Sequence, residues 1–119
     1  MTPLGAKLRE MRAKRNISLK EMAKGLNISS AYLSALEHGK KGKPTWFLLQ
    51  RMITYFNVIW DEAEELQRLA EISNPKITIN TAGLTPEATE LSNILSLKIA
   101  LLKSEDLIDI KNQIISKAK

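Results

Sequence analysis

The sequence contains no cysteine and only one histidine among its 119 residues. Disulfide bonds and thiolate metal sites are therefore excluded, and the composition fits a reducing compartment, so we expect a cytoplasmic protein. Groups that could support catalysis are equally scarce. His38 is the single histidine, there is no cysteine to act as a nucleophile, and no glycine-rich phosphate loop is present. The sequence therefore predicts no catalytic residue, no metal site and no cofactor, and we do not expect an enzyme.

Aromatic residues and long apolar runs are also few. There are two each of Phe, Trp and Tyr, so the core must be mainly aliphatic. No apolar run approaches the length that spans a bilayer, and the first residues do not resemble a signal segment, so we expect no membrane association. With 44% hydrophobic and 26% charged residues, the chain has the composition of a globular protein.

Positive charge is concentrated in the first half of the chain. Residues 1–57 hold eleven Lys or Arg against three Glu, whereas residues 58–119 hold seven Lys or Arg against ten acidic residues. The net charge of +5 thus combines a basic half of +8 with an acidic half of −3. This distribution favours a module that binds a polyanion, joined to a tail that faces away from it.

Residues 18–39 predict two short helices joined by a tight turn. Ser18 and Glu21 have the spacing of a capping box at the start of the first helix. Gly25 is expected in the turn, where a positive φ angle is needed, and Ser29 is expected to cap a second helix that Gly39 ends. A turn this short makes the helices cross steeply, which is the helix-turn-helix geometry.

Three further helices are expected around this unit, over residues 3–15, 46–56 and the acidic stretch 60–72. The basic loop KKGKP precedes the second of these helices, which Thr45 is expected to cap. Helical spacing predicts that its inward positions are Trp46, Leu49, Met52, Ile53 and Phe56. The apolar residues expected off that face, where they would add to a dimerisation surface, are Phe47, Leu48 and Tyr55.

We expect the chain to divide into two regions. A helix-turn-helix domain covers residues 1–72, and a separate region covers residues 73–119. Residues 76–80 alternate and are rich in β-branched side chains, which fits either a half-buried strand paired with a second copy or an extended linker. Residues 84–115 predict two short helices whose apolar side chains cover more than one face. We expect this helical hairpin to pack on another surface.

The first half of the chain resembles the DNA-binding domain of the phage Cro/repressor and XRE family of regulators, over residues 6–58. The matching positions are Leu8-Arg9, Ser18, Glu21, Met22-Ala23, Gly25-Leu26, Ile28-Ser29, Tyr32-Leu33-Ser34, Leu36-Glu37, Gly39, Pro44 and Asn57-Val58. The resemblance implies a mainly α, five-helix, lambda-repressor-like domain, followed here by the extended segment and the helical hairpin. It also implies a structural ion pair between Arg12 and Glu37.

The second helix of a helix-turn-helix enters the major groove of DNA with its N-terminus first. The residues expected to face the bases are Ser30, Ala31, Ser34 and Ala35, with Tyr32 beside them. The expected phosphate donors are Ser18, Ser29, Tyr32, Lys40, Lys41 and Lys43, with Arg9 and Arg15 as further candidates. Because Ser and Ala discriminate bases weakly, we expect DNA shape and the joint reading of two half-sites to supply much of the specificity.

These features predict a sequence-specific DNA-binding transcriptional regulator, in particular a homodimeric repressor on a palindromic operator in double-stranded DNA. An alternative is an antitoxin that binds DNA and, through residues 76–119, a toxin or another protein partner. A third interpretation is a protein-interaction module without DNA binding, and the lysines at positions 40, 41 and 43 argue against it.

Overall fold

Seven α-helices and one short 3₁₀ turn form in this chain, and no β-strand forms. The computed structural model describes all 119 residues. The helices are α1 (Pro3–Arg15), α2 (Leu19–Leu26), α3 (Ser30–Glu37), α4 (Trp46–Phe56), α5 (Asp61–Glu71), α6 (Pro86–Lys98) and α7 (Ser104–Lys117), with the 3₁₀ turn at Ile99–Leu101. The mainly α fold predicted from the sequence is confirmed.

The chain folds into two units, Met1–Ile77 and Thr78–Lys119, and most contacts between residues lie within one unit or the other. In the first unit α1 packs against α3 and α5, α2 packs against α3 and α4, and α4 packs against α5. The largest apolar side chains that are fully buried are Leu8, Met22, Leu26, Leu33, Met52 and Leu66. The core between these five helices is therefore mainly aliphatic, and Phe56 is its only buried aromatic residue.

Local hydrogen bonds explain where the first four helices begin. Each follows a hydroxyl N-cap that accepts the amide three residues further on, at Thr2, Ser18, Ser29 and Thr45. The capping box is present, because Ser18 Oγ accepts from the Glu21 amide at 3.0 Å and the Glu21 carboxylate accepts from the Ser18 amide at 3.3 Å. The helices α1, α2 and α4 end on asparagines in the left-handed conformation, Asn16, Asn27 and Asn57.

Gly25 does not supply the turn, so that expectation is wrong. It lies inside α2, and Asn27 takes the left-handed conformation with a φ of 58°. The need for glycine comes from packing, because a Cβ at Gly25 would overlap the Tyr55 ring on α4 and lie 2.9 Å from its Cδ1. The short turn therefore depends on an asparagine, and the glycine lets α4 approach α2 closely.

The inward face of α4 differs from the expected one in its first turn. Trp46 is 66% exposed, whereas Leu48 is 7% exposed and belongs to the core. Trp46 lies two residues before Leu48, which places the two side chains about 200° apart around the helix. Placing Trp46 inside and Leu48 outside was therefore wrong. Tyr55 is half-buried, and Phe47 remains on the surface.

Gly5 on α1 has no room for a side chain, because an added Cβ would overlap the carbonyl oxygen of Glu37 and lie 2.7 Å from its Cα. We expect Gly5→Ala to lower the free energy of unfolding by about 1–3 kcal/mol, since backbone at the end of α3 has to move. The midpoint of urea unfolding measures this loss. Gly42→Ala is the matched control, because a Cβ there meets nothing within 4 Å. Equal midpoints for the two variants would contradict the close contact.

The unit Thr78–Lys119 contains α6, the 3₁₀ turn and α7 but no buried residue. Its exposed large apolar side chains are Ile79, Leu84, Leu91, Ile94, Leu97, Ile99, Leu101, Leu107, Ile108, Ile114 and Ile115. Residues 76–80 form neither helix nor strand within this chain. None of the helices combines the length and the apolar character that crossing a bilayer requires.

Candidate nucleic-acid interface

The turn between α2 and α3 is short and internally hydrogen-bonded. The amide of Asn27 donates to the Lys24 carbonyl at 3.1 Å, and the amide of Ile28 donates to the Ala23 carbonyl at 3.0 Å. Ser29 then begins α3 as its N-cap. Only residues 27–29 separate the two helices, so their relative position is set by this turn and by the core beneath it.

The residues that are predicted to face the DNA bases all lie on one short helix, α3. Leu33, Leu36 and Glu37 are buried and occupy its inner side. The remaining positions carry small or polar side chains, of which Ala31 and Tyr32 are exposed and Ser30, Ser34 and Ala35 are half-buried. The eight residues span about 12 Å, a length that fits within the major groove of B-DNA.

The N-terminus of α3 leaves backbone donors free. Ser29 Oγ accepts the Tyr32 amide at 3.0 Å, and the Ser29 carbonyl accepts the Leu33 amide at 3.1 Å. The amides of Ser30 and Ala31 have no partner within the chain. Because the helix dipole also makes this end positive, the arrangement suits a phosphate group. The cap hydroxyls of Ser18 and Ser29 accept amides and keep their O–H for donation to an anion.

The lysine loop, residues 40–43, is anchored at both ends while its ammonium groups remain free. The amides of Lys40 and Lys41 donate to the Ala35 carbonyl at 2.9 and 3.4 Å, which ties the loop to α3. At its other end Pro44 is buried. The side chains of Lys40, Lys41 and Lys43 are exposed, and none of them forms an ion pair. The structure thus joins three unpaired cations directly to the end of the same helix.

Arg12 and Glu37 form a buried ion pair with two contacts between the guanidinium and the carboxylate. Arg12 Nη1 donates to Glu37 Oε2, and Nη2 donates to Oε1 at 3.1 Å. The residues are 7% and 2% exposed, respectively. The pair that the resemblance implies is thus present, and it links α1 to the last residue of α3.

Two arginines have structural roles that the sequence did not reveal. Arg15 donates to the Met11 carbonyl at 3.3 Å, and its guanidinium carbon lies 5.2 Å from the centre of the Phe56 ring. Arg51 on α4 donates to the carbonyl of Leu26, the last residue of α2. Since 25 residues separate Arg51 from Leu26, no local pattern could have shown this contact.

Three other surface cations of the first unit, Lys7, Lys14 and Arg68, are paired with carboxylates on their own helices. Lys7 and Lys14 lie 3.9 and 3.0 Å from the Glu10 carboxylate. The pKa of Glu10 lies below its usual value, mainly because Lys14 donates a hydrogen bond and then because Lys7 is positively charged. On α5 a hydrogen bond from Arg68 lowers the pKa of Glu65. The lysine loop differs from these three paired cations and shares its lack of ion pairs with Lys20 and Lys24 on α2. No group of three or more His, Cys, Asp or Glu side chains is placed to hold a metal ion.

The sequence matches a family model described as a helix-turn-helix domain over residues 3–69, which is more than half of the chain. The chain belongs to this helix-turn-helix family. It is therefore a DNA-binding transcriptional regulator of the helix-turn-helix type, in a family that is not enzymatic. The predicted family and the prediction that the protein is not an enzyme are confirmed.

Two known proteins are similar to this helix-turn-helix chain, one compared by sequence and one by structure. It is 26% identical over 118 residues to an uncharacterised HTH-type transcriptional regulator, RghRB, of Bacillus subtilis (strain 168), with 90% of this chain and 85% of the relative covered. Among solved structures, a chain of a SinR protein/SinI protein complex is 17% identical with a TM-score of 0.45, and the overlap covers 98% of this chain and 99% of that one.

Proposed function

We propose that this helix-turn-helix regulator is a cytoplasmic, dimeric repressor that binds a palindromic operator. In this proposal α3 of each copy reads one half-site through Ser30, Ala31, Ser34 and Ala35, with Tyr32 at its side. The phosphate donors are the free N-terminal amides, the hydroxyls of Ser18 and Ser29, and the lysine loop. The support for this surface is the combination of a rigidly held helix, free amides and unpaired cations described above.

The dimer is supported by one observation, the absence of any buried residue in Thr78–Lys119. Eleven large apolar side chains of that unit are exposed, from Ile79 to Ile115. Apolar surface on this scale is stabilised when a second surface covers it, and a two-fold symmetric pair is the commonest way for a soluble chain to provide one. We therefore propose that residues 78–119, within the region 73–119 expected to dimerise, hold the two copies together.

Dimerisation also meets a need of the DNA-binding surface. The outer positions of α3 carry serine and alanine, which make few discriminating contacts with bases. One half-site read in this way specifies too little sequence, whereas two half-sites at a fixed spacing multiply the selectivity. Repression follows from the position of such a dimer on a promoter, where it blocks access.

Selection of bound sequences from a random duplex library at near-physiological salt tests this function. The expected result is a palindrome with half-sites about ten base pairs apart. Sedimentation of the free protein at micromolar concentration is expected to show a dimer. Weak, salt-sensitive binding without a motif would overturn the operator, and a monomer would overturn the dimer.

The second candidate function is that of an antitoxin, supported by the same uncovered apolar unit. In that case residues 76–119 would be covered by a toxin instead of a second copy. Sedimentation of the protein alone separates the two functions, because an antitoxin that requires its toxin for coverage remains monomeric. Co-expression with the product of a small neighbouring gene would then yield a complex of defined stoichiometry.

Replacing Ser30 and Ser34 together by alanine tests the assignment of α3 to the groove. We expect affinity for the selected operator to fall by about tenfold, while affinity for random duplex changes by less than about twofold, because base contacts carry the preference and phosphate contacts do not. Ser116→Ala, an exposed hydroxyl on α7, is the control. Equal losses on the operator and on random DNA would contradict the assignment.

A further inference from the structure

Ser73 is a buried hydroxyl residue that lies beyond the end of α5, outside the helix-turn-helix. It is 3% exposed, and its Oγ accepts the amide of Leu4 at 2.9 Å while donating to the carbonyl of Leu69. Leu4 is the second residue of α1 and is itself 3% exposed. Because its amide has no carbonyl to pair with inside its own helix, Ser73 provides the acceptor that a buried helix start requires.

The start of α1 rests directly on the end of α3. The amide of Thr2 donates to the Glu37 carbonyl at 3.0 Å, and Gly5 lies against the backbone of the same residue. Thr2 Oγ1 also accepts the amide of Gly5 at 3.0 Å. Two residues at the start of α1, Thr2 and Gly5, thus contact the C-terminal end of α3.

The segment that follows Ser73 reaches the same place. A Cβ built on Gly39 would lie 3.3 Å from Thr2 Cγ2 and 3.4 Å from Pro75 Cβ, so both side chains pack beside this glycine. Gly39 has a φ of 76° and leads from α3 into the lysine loop. Residues 73–75, the start of α1 and the end of α3 therefore form one junction.

We propose that Ser73 is a positioning residue for DNA recognition, which acts by holding the start of α1 against the end of α3. This inference rests on the proposed function of α3. Because α3 is about 12 Å long, a shift of about 1 Å at its C-terminal end tilts the helix by about 5° and moves the residues that face the bases. Without the Ser73 hydroxyl, the buried Leu4 amide loses its acceptor, and the junction relaxes at the point where α1 meets α3.

The test compares Ser73→Ala with Ala63→Gly in the full-length protein. Ala63 is a half-buried residue of α5, and glycine there weakens the same helix without reaching the junction. For Ser73→Ala we expect the ratio of operator affinity to random-duplex affinity to fall by about tenfold. For Ala63→Gly the ratio stays within about twofold of the wild type. Ser73→Thr, which keeps the hydroxyl, is expected to restore most of the ratio.

Hydrogen exchange provides a second measurement on the same variants. In Ser73→Ala the amides of Thr2 and Leu4 are expected to exchange about tenfold faster, while those of α2 keep their protection. If Ser73→Ala does not fold, Ser73→Cys carries the test, because its thiol occupies a similar volume but is only a weak acceptor for the Leu4 amide; its affinity ratio is expected to fall.

The outcomes separate this inference from the function on which it rests. A wild-type protein without sequence preference overturns both proposals. If the wild type prefers its operator and Ser73→Ala keeps the same preference, the positioning role alone is overturned. The same holds if the affinity ratio falls as much in Ala63→Gly as in Ser73→Ala. An unchanged ratio in Ser73→Cys also overturns the positioning role where Ser73→Ala is unfolded.

Discussion

Replacing Lys40, Lys41 and Lys43 together by alanine is expected to weaken DNA binding by about a hundredfold at near-physiological salt, on operator and random duplex alike. The three ammonium groups are exposed and unpaired, so each is free to displace a counterion from a phosphate. The plot of log affinity against log salt concentration should lose about one unit of slope for each contact removed, hence about three. Titration of a labelled duplex at several salt concentrations measures the slope.

The control for the loop variant removes the same charge elsewhere. Lys98, Lys111 and Lys117 are exposed residues of α6 and α7, so their joint replacement by alanine changes the net charge equally. We expect that variant to alter the slope by less than about one unit, because these lysines lie outside the proposed DNA surface. An unchanged slope in the loop variant, or equal slopes in both, would remove the lysine loop from the interface.

Arg12→Met is expected to lower the free energy of unfolding by about 3–5 kcal/mol. The substitution leaves the carboxylate of Glu37, 2% exposed, without its cation in the interior. Since small domains have about 5–15 kcal/mol of stability in total, this loss takes the variant close to unfolding. Urea unfolding at fixed protein concentration measures it.

Two further variants show whether the loss comes from the unpaired charge. Arg12→Met combined with Glu37→Leu is expected to recover most of the stability, because neither charge is then buried. Lys14→Met breaks the exposed contact with Glu10 and is expected to leave the urea midpoint unchanged. A double variant that is as unstable as Arg12→Met would show that packing, and not the charge, accounts for the loss.

The proposed DNA surface depends on a scaffold that holds the C-terminal end of α3. The Arg12–Glu37 pair and the close approach of Gly5 both hold the last residue of α3. The lysine loop then begins from Gly39 and is tied back to Ala35. Substitutions that loosen this end of α3 are therefore expected to affect both recognition and stability, whereas Ser30 and Ser34 are expected to affect recognition alone.

Much of the helix-turn-helix was predictable because its signals are local. A hydroxyl that caps a helix bonds an amide three residues away, so Ser18, Ser29 and Thr45 mark helix starts in the sequence as clearly as in the structure. The outer residues of α3 follow from the same reasoning, since helical spacing separates them from Leu33 and Leu36. The KKGKP loop is visible as a run of lysines with two helix-disfavouring residues.

What the sequence by itself determined is thus the number and order of the helices in the first unit, the N-caps of α2, α3 and α4, and the concentration of positive charge in this half of the chain. Only the tertiary structure decided that Gly25 accommodates Tyr55, that Arg51 caps α2 and that Ser73 completes the start of α1. The physical reason is distance along the chain. Caps and helical faces arise within three or four residues, whereas these contacts join side chains and backbone that are 25 to 69 residues apart and meet only after the helices have packed.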